Sequence, residues 1–143
     1  MQTNWYLLIG ACLGMVLLTS AVGGLLLFTR VQEMRSKKIN PQTTATSVQL
    51  AAHLENVQPA DNFRNLFEVP VLFYTLVAVA LAVDNVPNWL VIGAWLYVIL
   101  RIAHSFIHCT YNKVYHRLTV FLASFLLLVG MWVAFFLSLM VRS

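Results

Sequence analysis

Apolar residues in this chain run in four long blocks, over 5–28, 63–83, 89–111 and 118–141. A helix rises 1.5 Å per residue, so about 20 apolar residues cross a hydrocarbon core of about 30 Å. Each block is that long. Lipid offers no hydrogen bonds to bare backbone, so each spanning segment is expected to be a helix. Trp5, Trp89, Tyr111 and Tyr115 stand near the block ends, where amphipathic rings favour the membrane–water interface. The pattern therefore predicts an all-α membrane protein, a four-transmembrane-helix bundle forming one domain over residues 1–143. A polar connection over 30–62 separates the first two spans. The first block is read as a retained span: it has no basic n-region, its apolar run is too long for a signal peptide, and no small-x-small cleavage site follows.

Composition agrees with this. The chain is 60% hydrophobic and 10% charged, with a formal net charge of +4, whereas soluble domains carry about a quarter charged residues. The positive charge is distributed by side. Arg30, Arg35, Lys37, Lys38 and Arg64 lie between spans one and two, and Lys113 and Arg117 between spans three and four. The opposite side has only Arg142, and Arg101 lies inside span three. The positive-inside rule then places both termini on the non-cytoplasmic side and the two basic loops in the cytoplasm. An integral, multi-pass protein of a bacterial inner membrane or the endoplasmic reticulum is expected, in contact with the lipid bilayer. Nucleic acid is not an expected partner, since the basic residues are split between two loops and no binding motif accompanies them. Cys12 and Cys109 both fall in apolar blocks and imply no disulfide framework; Cys109 reads as a small buried hydrophobe or a reactive thiol.

Two local features bear on packing. "GACLG", Gly10 to Gly14, is a GxxxG pattern that permits close helix approach. In the long connection Pro41 is a breaker, and the stretch from Val48 to Val57 reads either as a short interfacial helix, with Leu50, Leu54 and Val57 at helical spacing, or as a solvated loop.

The chemistry gathers in "RIAHSFIHCTYNKVYHR", Arg101 to Arg117. At 100° per residue, Tyr97, Arg101, His104, His108, Tyr111 and Asn112 share one face of span three, and Cys109 lies off it. Polar groups at bilayer depth are costly unless paired or facing a cavity, so this stripe must face protein. Span two offers Asp61, Asn65 and Glu68 on one face. Antiparallel neighbours bring Glu68 level with His104 and near Arg101. Two readings follow: a structural Glu68–Arg101 ion pair between helices, or a cytoplasm-facing cleft for a charged ligand. Metal and haem are weaker alternatives. His104 and His108 have i,i+4 spacing, but "HSFIH" lacks the internal Glu of zinc helices and Arg101 repels a cation. Haem needs ligands on both faces of its ring, and spans one, two and four have no histidine.

"NLFEVP" at the mouth of span two, "RIAHS" in span three and Arg117 at the start of span four together resemble the MAPEG superfamily. These are membrane-associated proteins of eicosanoid and glutathione metabolism, including microsomal glutathione transferases and microsomal prostaglandin E synthase. "RSKKINPQ", Arg35 to Gln42, resembles the basic loop of the prostaglandin synthase branch. The resemblance spans the whole chain. It implies a homotrimer that binds glutathione as co-substrate between subunits near the cytoplasmic side and takes a lipophilic small molecule from the bilayer. It further implies that Asn65 and Glu68, as Asn-x-x-Glu, and Arg101 and His104, as Arg-x-x-His, hold the tripeptide. Arg30 would contact a glutathione carboxylate, and Arg117 would stabilise the thiolate as the catalytic residue. Three positions depart from the pattern: Asp61 where many members have arginine, Val69 where tyrosine is frequent, and His108 where tyrosine is typical, with Tyr111 one turn on as its substitute. The functions carried forward are a glutathione transferase or peroxidase, a non-catalytic trimeric membrane protein with a structural polar cluster, and a metal- or haem-binding protein.

Overall fold

A computed structural model describes residues 2–40 and 54–142. The described residues form five α-helices and no strand: α1 (Gln2–Ser36), α2 (Gln58–Asn65), α3 (Pro70–Ala82), α4 (Asn88–Cys109) and α5 (Val114–Arg142). They make four candidate spans, Thr3–Ser36, Gln58–Ala82, Asn88–Cys109 and Val114–Val141, so α2 and α3 cross together. The protein is an integral, multi-pass membrane protein.

α1 outruns its apolar block. The sequence from Arg30 to Ser36 has no proline or glycine and is rich in good helix formers, so the helix continues beyond the membrane-length part. Its 35 residues span about 52 Å, roughly 20 Å more than a hydrocarbon core. The connection to span two is accordingly 37–57 rather than 30–62. Most of the segment considered as an interfacial helix, Val48 to Val57, lies outside the described residues. Its last four residues, 54–57, are not helical, and Leu54 is buried. The returning chain is tied to α1 by Glu33. One carboxylate oxygen accepts the Glu55 amide at 2.7 Å and the other accepts the Asn56 amide at 3.3 Å. Lys37 bridges Glu33 at 2.8 Å and Glu55 at 2.9 Å. Hydrogen bonds to Glu33 and then Glu55 hold the Lys37 ammonium above the usual lysine range.

Span two is not one helix. Pro70 has no N–H for the carbonyl of Leu66, and its ring crowds that turn, so residues 66–69 form tight turns between α2 and α3. Bonds here run to the third residue back, from Phe67 to Arg64 at 2.9 Å and from Leu72 to Val69 at 3.0 Å.

α4 is the hub. It packs against α1, α2 and α5, and 56% of its most apolar window is buried in the protein, against 22% for α1 and for α5. The GxxxG of α1 faces it. A Cβ on Gly14 would lie 3.2 Å from Val98, and one on Gly10 would lie 3.4 Å from Trp95, so these glycines allow the two backbones to approach. The Trp95 indole donates to the Leu7 carbonyl at 3.1 Å. At the end holding both termini, Asn4 donates to the Val86 carbonyl at 2.9 Å and to Asn88 at 2.8 Å. Asn85 reaches Ser138 at 3.3 Å.

Replacing Gly14 with leucine should push α1 from α4 and cost about 1–3 kcal/mol of stability, as overpacking does. Thermal unfolding in detergent measures this. An unchanged midpoint would show that the α1–α4 contact carries no such weight.

Candidate functional site

The buried polar face of α4 consists of Tyr97, Arg101, His104 and His108. Arg101 is 0% exposed. Its Nη2 donates to the backbone carbonyl of Asn65 at 3.1 Å, at the end of α2 where the proline break interrupts regular helix bonding. The guanidinium also lies 5.8 Å from the centre of the Phe121 ring on α5, within the range of a cation–π contact. Tyr97 stacks on Phe73 of α3 with ring centres 4.8 Å apart.

Two histidine contacts fix their own proton positions. His104 Nδ1 meets the carbonyl oxygen of Arg117 at 3.2 Å, so that nitrogen carries the proton and donates. Arg117 Nη1 donates to His108 Nε2 at 2.8 Å, so that nitrogen is bare and the proton sits on Nδ1. Arg117 Nη1 also donates to Asn112 Oδ1 at 3.0 Å. Beside this group, Asn62 of α2 is fully buried: its Oδ1 accepts from Ser105 at 3.3 Å, and its Nδ2 reaches the Cys109 sulfur at 3.3 Å.

Five buried polar atoms of the α4 face have no hydrogen-bond partner among the described residues: the Tyr97 hydroxyl, Arg101 Nε and Nη1, His104 Nε2 and His108 Nδ1. Such atoms normally find a partner. Next to them a cleft of about 220 Å³ opens between α2, α4 and α5, lined by Asn65, His104, Val114, Arg117, Leu118 and Phe121. Arginines dominate the local charge. Among the described residues the ion pairs are those of Lys37 and none involves Arg101, although Glu68 lies within electrostatic reach of its guanidinium.

The expected residues are thus partly assembled. Asn65, His104 and Arg117 line the cleft, and Arg101 lies behind it, against Asn65 and Phe121. The expected Glu68–Arg101 pair is corrected. Glu68 falls in the break at 66–69 and is exposed; it stays within electrostatic reach of Arg101, as the depth argument placed it, but makes no direct ion pair with it, and Arg101 donates to the Asn65 carbonyl instead. The polar stripe also stops earlier than the spacing suggested. α4 ends at Cys109, so Tyr111 and Asn112 belong to a turn; Tyr111 is 51% exposed and its hydroxyl meets His116 Nδ1 at 3.3 Å. Arg30, half-exposed on α1, does not line the cleft. Asn112, read from sequence as part of the helical stripe, reaches the site from the turn instead, by accepting from Arg117, whereas Asn62, Ser105 and Phe121 were not singled out from sequence. The i,i+4 pair Ser105 and Cys109 marked a second polar edge of α4 that Asn62 meets; Phe121, an aromatic inside an apolar block, gave no signal. No group of three or more His, Cys, Asp or Glu placed to hold a metal occurs among the described residues.

Helices of spanning length around a hub, with a cleft lined by Arg117 and His104 at one end of the bundle, define a polytopic membrane protein. The MAPEG family model matches residues 8–137, nearly the whole 143-residue chain. The chain belongs to the MAPEG family. Comparison with curated proteins gave no match, and comparison with solved structures gave none.

Asn62→Leu should strand the Ser105 hydroxyl and cost about 1–3 kcal/mol. Glu68→Gln, which breaks no ion pair within the chain, should cost less than about 1 kcal/mol. Paired thermal melts in detergent distinguish these; a larger loss for Glu68→Gln would restore the deep ion pair as a stabilising element.

Proposed function

We propose that this protein is a glutathione-dependent transferase or peroxidase acting on lipophilic electrophiles, and that it works as a homotrimer. The observation that carries the reading is Arg117. One guanidinium nitrogen is held by His108 and Asn112, and the side chain lines a cleft with His104 and Asn65. A thiol is nucleophilic as its thiolate, and a neighbouring cation lowers its pKa from about 8.5. Arginine stays charged at any working pH, so Arg117 favours the thiolate without titrating.

The donor set suits glutathione, which brings two carboxylates, an ammonium and a thiol. Arg101 is a buried cation with no carboxylate paired to it, and unpaired charge at such depth is costly. Asn65, Glu68 and His104 supply amide, carboxylate and imidazole groups. In the transferase reaction the thiol proton passes to water. The thiolate sulfur then bonds to the electrophilic carbon, and the leaving group departs with its electron pair. In the peroxidase reaction the sulfur takes one peroxide oxygen as the O–O bond breaks, and the alkoxide takes a proton. A second glutathione thiolate then displaces hydroxide and forms the disulfide.

Two observations support the trimer. The cleft of one chain, about 220 Å³, is smaller than the roughly 300–1,000 Å³ usual for ligand pockets. Asp61, Arg64 and Glu68 are exposed on a segment of membrane-spanning length, where charges need cover from lipid. A neighbouring copy would supply that cover and bring Arg30, Glu68 and Tyr111, all outside the cleft of their own chain, to the bound tripeptide. The second reading is a non-catalytic trimer. It is favoured by the hold on Arg117 from within the chain, which makes part of the polar cluster self-sufficient.

Adding glutathione to the solubilised protein should produce thiolate absorbance in the near ultraviolet. Arg117→Ala should weaken this signal and lower turnover about ten- to a hundredfold, the worth of one charge-assisted hydrogen bond of about 1.5–3 kcal/mol, with a smaller effect on affinity. If wild-type protein shows neither thiolate nor turnover, the non-catalytic reading stands instead.

A further inference from the structure

Arg117 is held by two side chains, His108 and Asn112, to which the glutathione reading assigns no contact with the tripeptide. Its Nη1 carries two protons, and both are committed: one to His108 Nε2 at 2.8 Å and one to Asn112 Oδ1 at 3.0 Å. His104 holds the backbone carbonyl of the same residue at 3.2 Å. Nε and Nη2 of Arg117 are left for the cleft that it lines.

Asn112 serves twice. Its φ is 45°, in the left-handed region that asparagine tolerates better than most residues. Its backbone N–H donates to the Ile107 carbonyl at 2.9 Å, the six-to-one bond that closes the C-terminus of α4. The backbone that ends α4 therefore also aims the carboxamide at the guanidinium.

His108 is conditional. Its Nε2 accepts from Arg117 only while that nitrogen is bare. A proton there would set N–H against N–H and cation against cation. The charged and titratable groups around His108 are Arg101 and His104 on its own helix, Arg117 from α5 and the Asp61 carboxylate from α2. Two departures from the family pattern, His108 and Asp61, thus interact electrostatically.

We propose that His108 and Asn112 are positioning residues that aim Arg117 into the cleft, and that proton uptake by His108 releases Arg117 and slows the thiol-activating step. This rests on the glutathione-dependent reading. As pH falls, two protonations then act together, one on the glutathione thiol and one on His108.

The test is the acid limb of the kcat–pH profile for glutathione conjugation in detergent, with histidine tautomers read separately by nitrogen-15 NMR. The wild type should fall with a logarithmic slope of about two below both ionisations, and His108→Gln with a slope of about one. Gln keeps an acceptor oxygen near the place of Nε2 and does not titrate. It should therefore retain more turnover than His108→Ala. Asn112→Gly keeps the left-handed backbone and removes the acceptor, so it should lower kcat more than it raises KM. Arg117→Met should shift His108 away from the Nδ1–H tautomer. Equal slopes for wild type and His108→Gln would overturn the switch, and an unmoved tautomer in Arg117→Met would overturn the hold. If no glutathione thiolate forms, the glutathione reading fails, the switch falls with it, and the NMR result alone decides the hold.

Discussion

The bundle is organised around one buried cation. Arg101 sits at the centre of the hub helix with no exposure, and removing a guanidinium from water is expensive. What makes it tolerable is a backbone irregularity elsewhere. Pro70 cannot continue the ladder of span two, the chain makes tight turns over residues 66–69, and the Asn65 carbonyl accepts from Arg101. Phe121 offers its ring face from the other side. Three spans converge on this group, which is why α4 is the helix that every other part of the polar site touches. A carbonyl offers only a partial charge, so the residual positive field extends toward the cleft.

The site is then built in layers of increasing exposure. Asn62, Ser105 and Cys109 close one flank by hydrogen bonding within the protein. His104 and His108 connect α4 to α5 through Arg117. Their proton positions follow from their partners: a carbonyl demands an N–H, and a guanidinium demands a lone pair. Val114 and Leu118, exposed, and the half-buried Phe121 complete the lining as an apolar wall. The cleft is therefore polar toward Asn65, His104 and Arg117 and apolar on its other side.

Much of the fold was legible because bilayer thickness imposes a length on apolar runs that nothing else explains. The four blocks followed from run length, the GxxxG approach from two small residues one turn apart, and the burial of Tyr97, Arg101, His104 and His108 from helical periodicity. The errors came where short polar segments decide. Helical spacing alone carried the stripe to Tyr111, but a turn at Thr110 ends α4 first. A depth argument paired Glu68 with Arg101, yet it assumed a regular helix through Pro70, and the turns that proline imposes leave the carboxylate exposed. The extension of α1 to Ser36 was missed because hydropathy ends at Phe28 while helix propensity does not.

That extension has a mechanical side. The last two turns of α1 are continuous with its spanning part, and Glu33 on them grips the chain just before span two. A span longer than the local hydrocarbon thickness accommodates by tilting, and bilayers of different organelles differ by several ångströms. Because α1 is one stiff rod, tilt inside the membrane swings its outer end sideways, like a tiller. The grip at Glu33 fastens that outer end to the chain entering α2, so the first loop closes against the moving end of α1 and not against its membrane-held part.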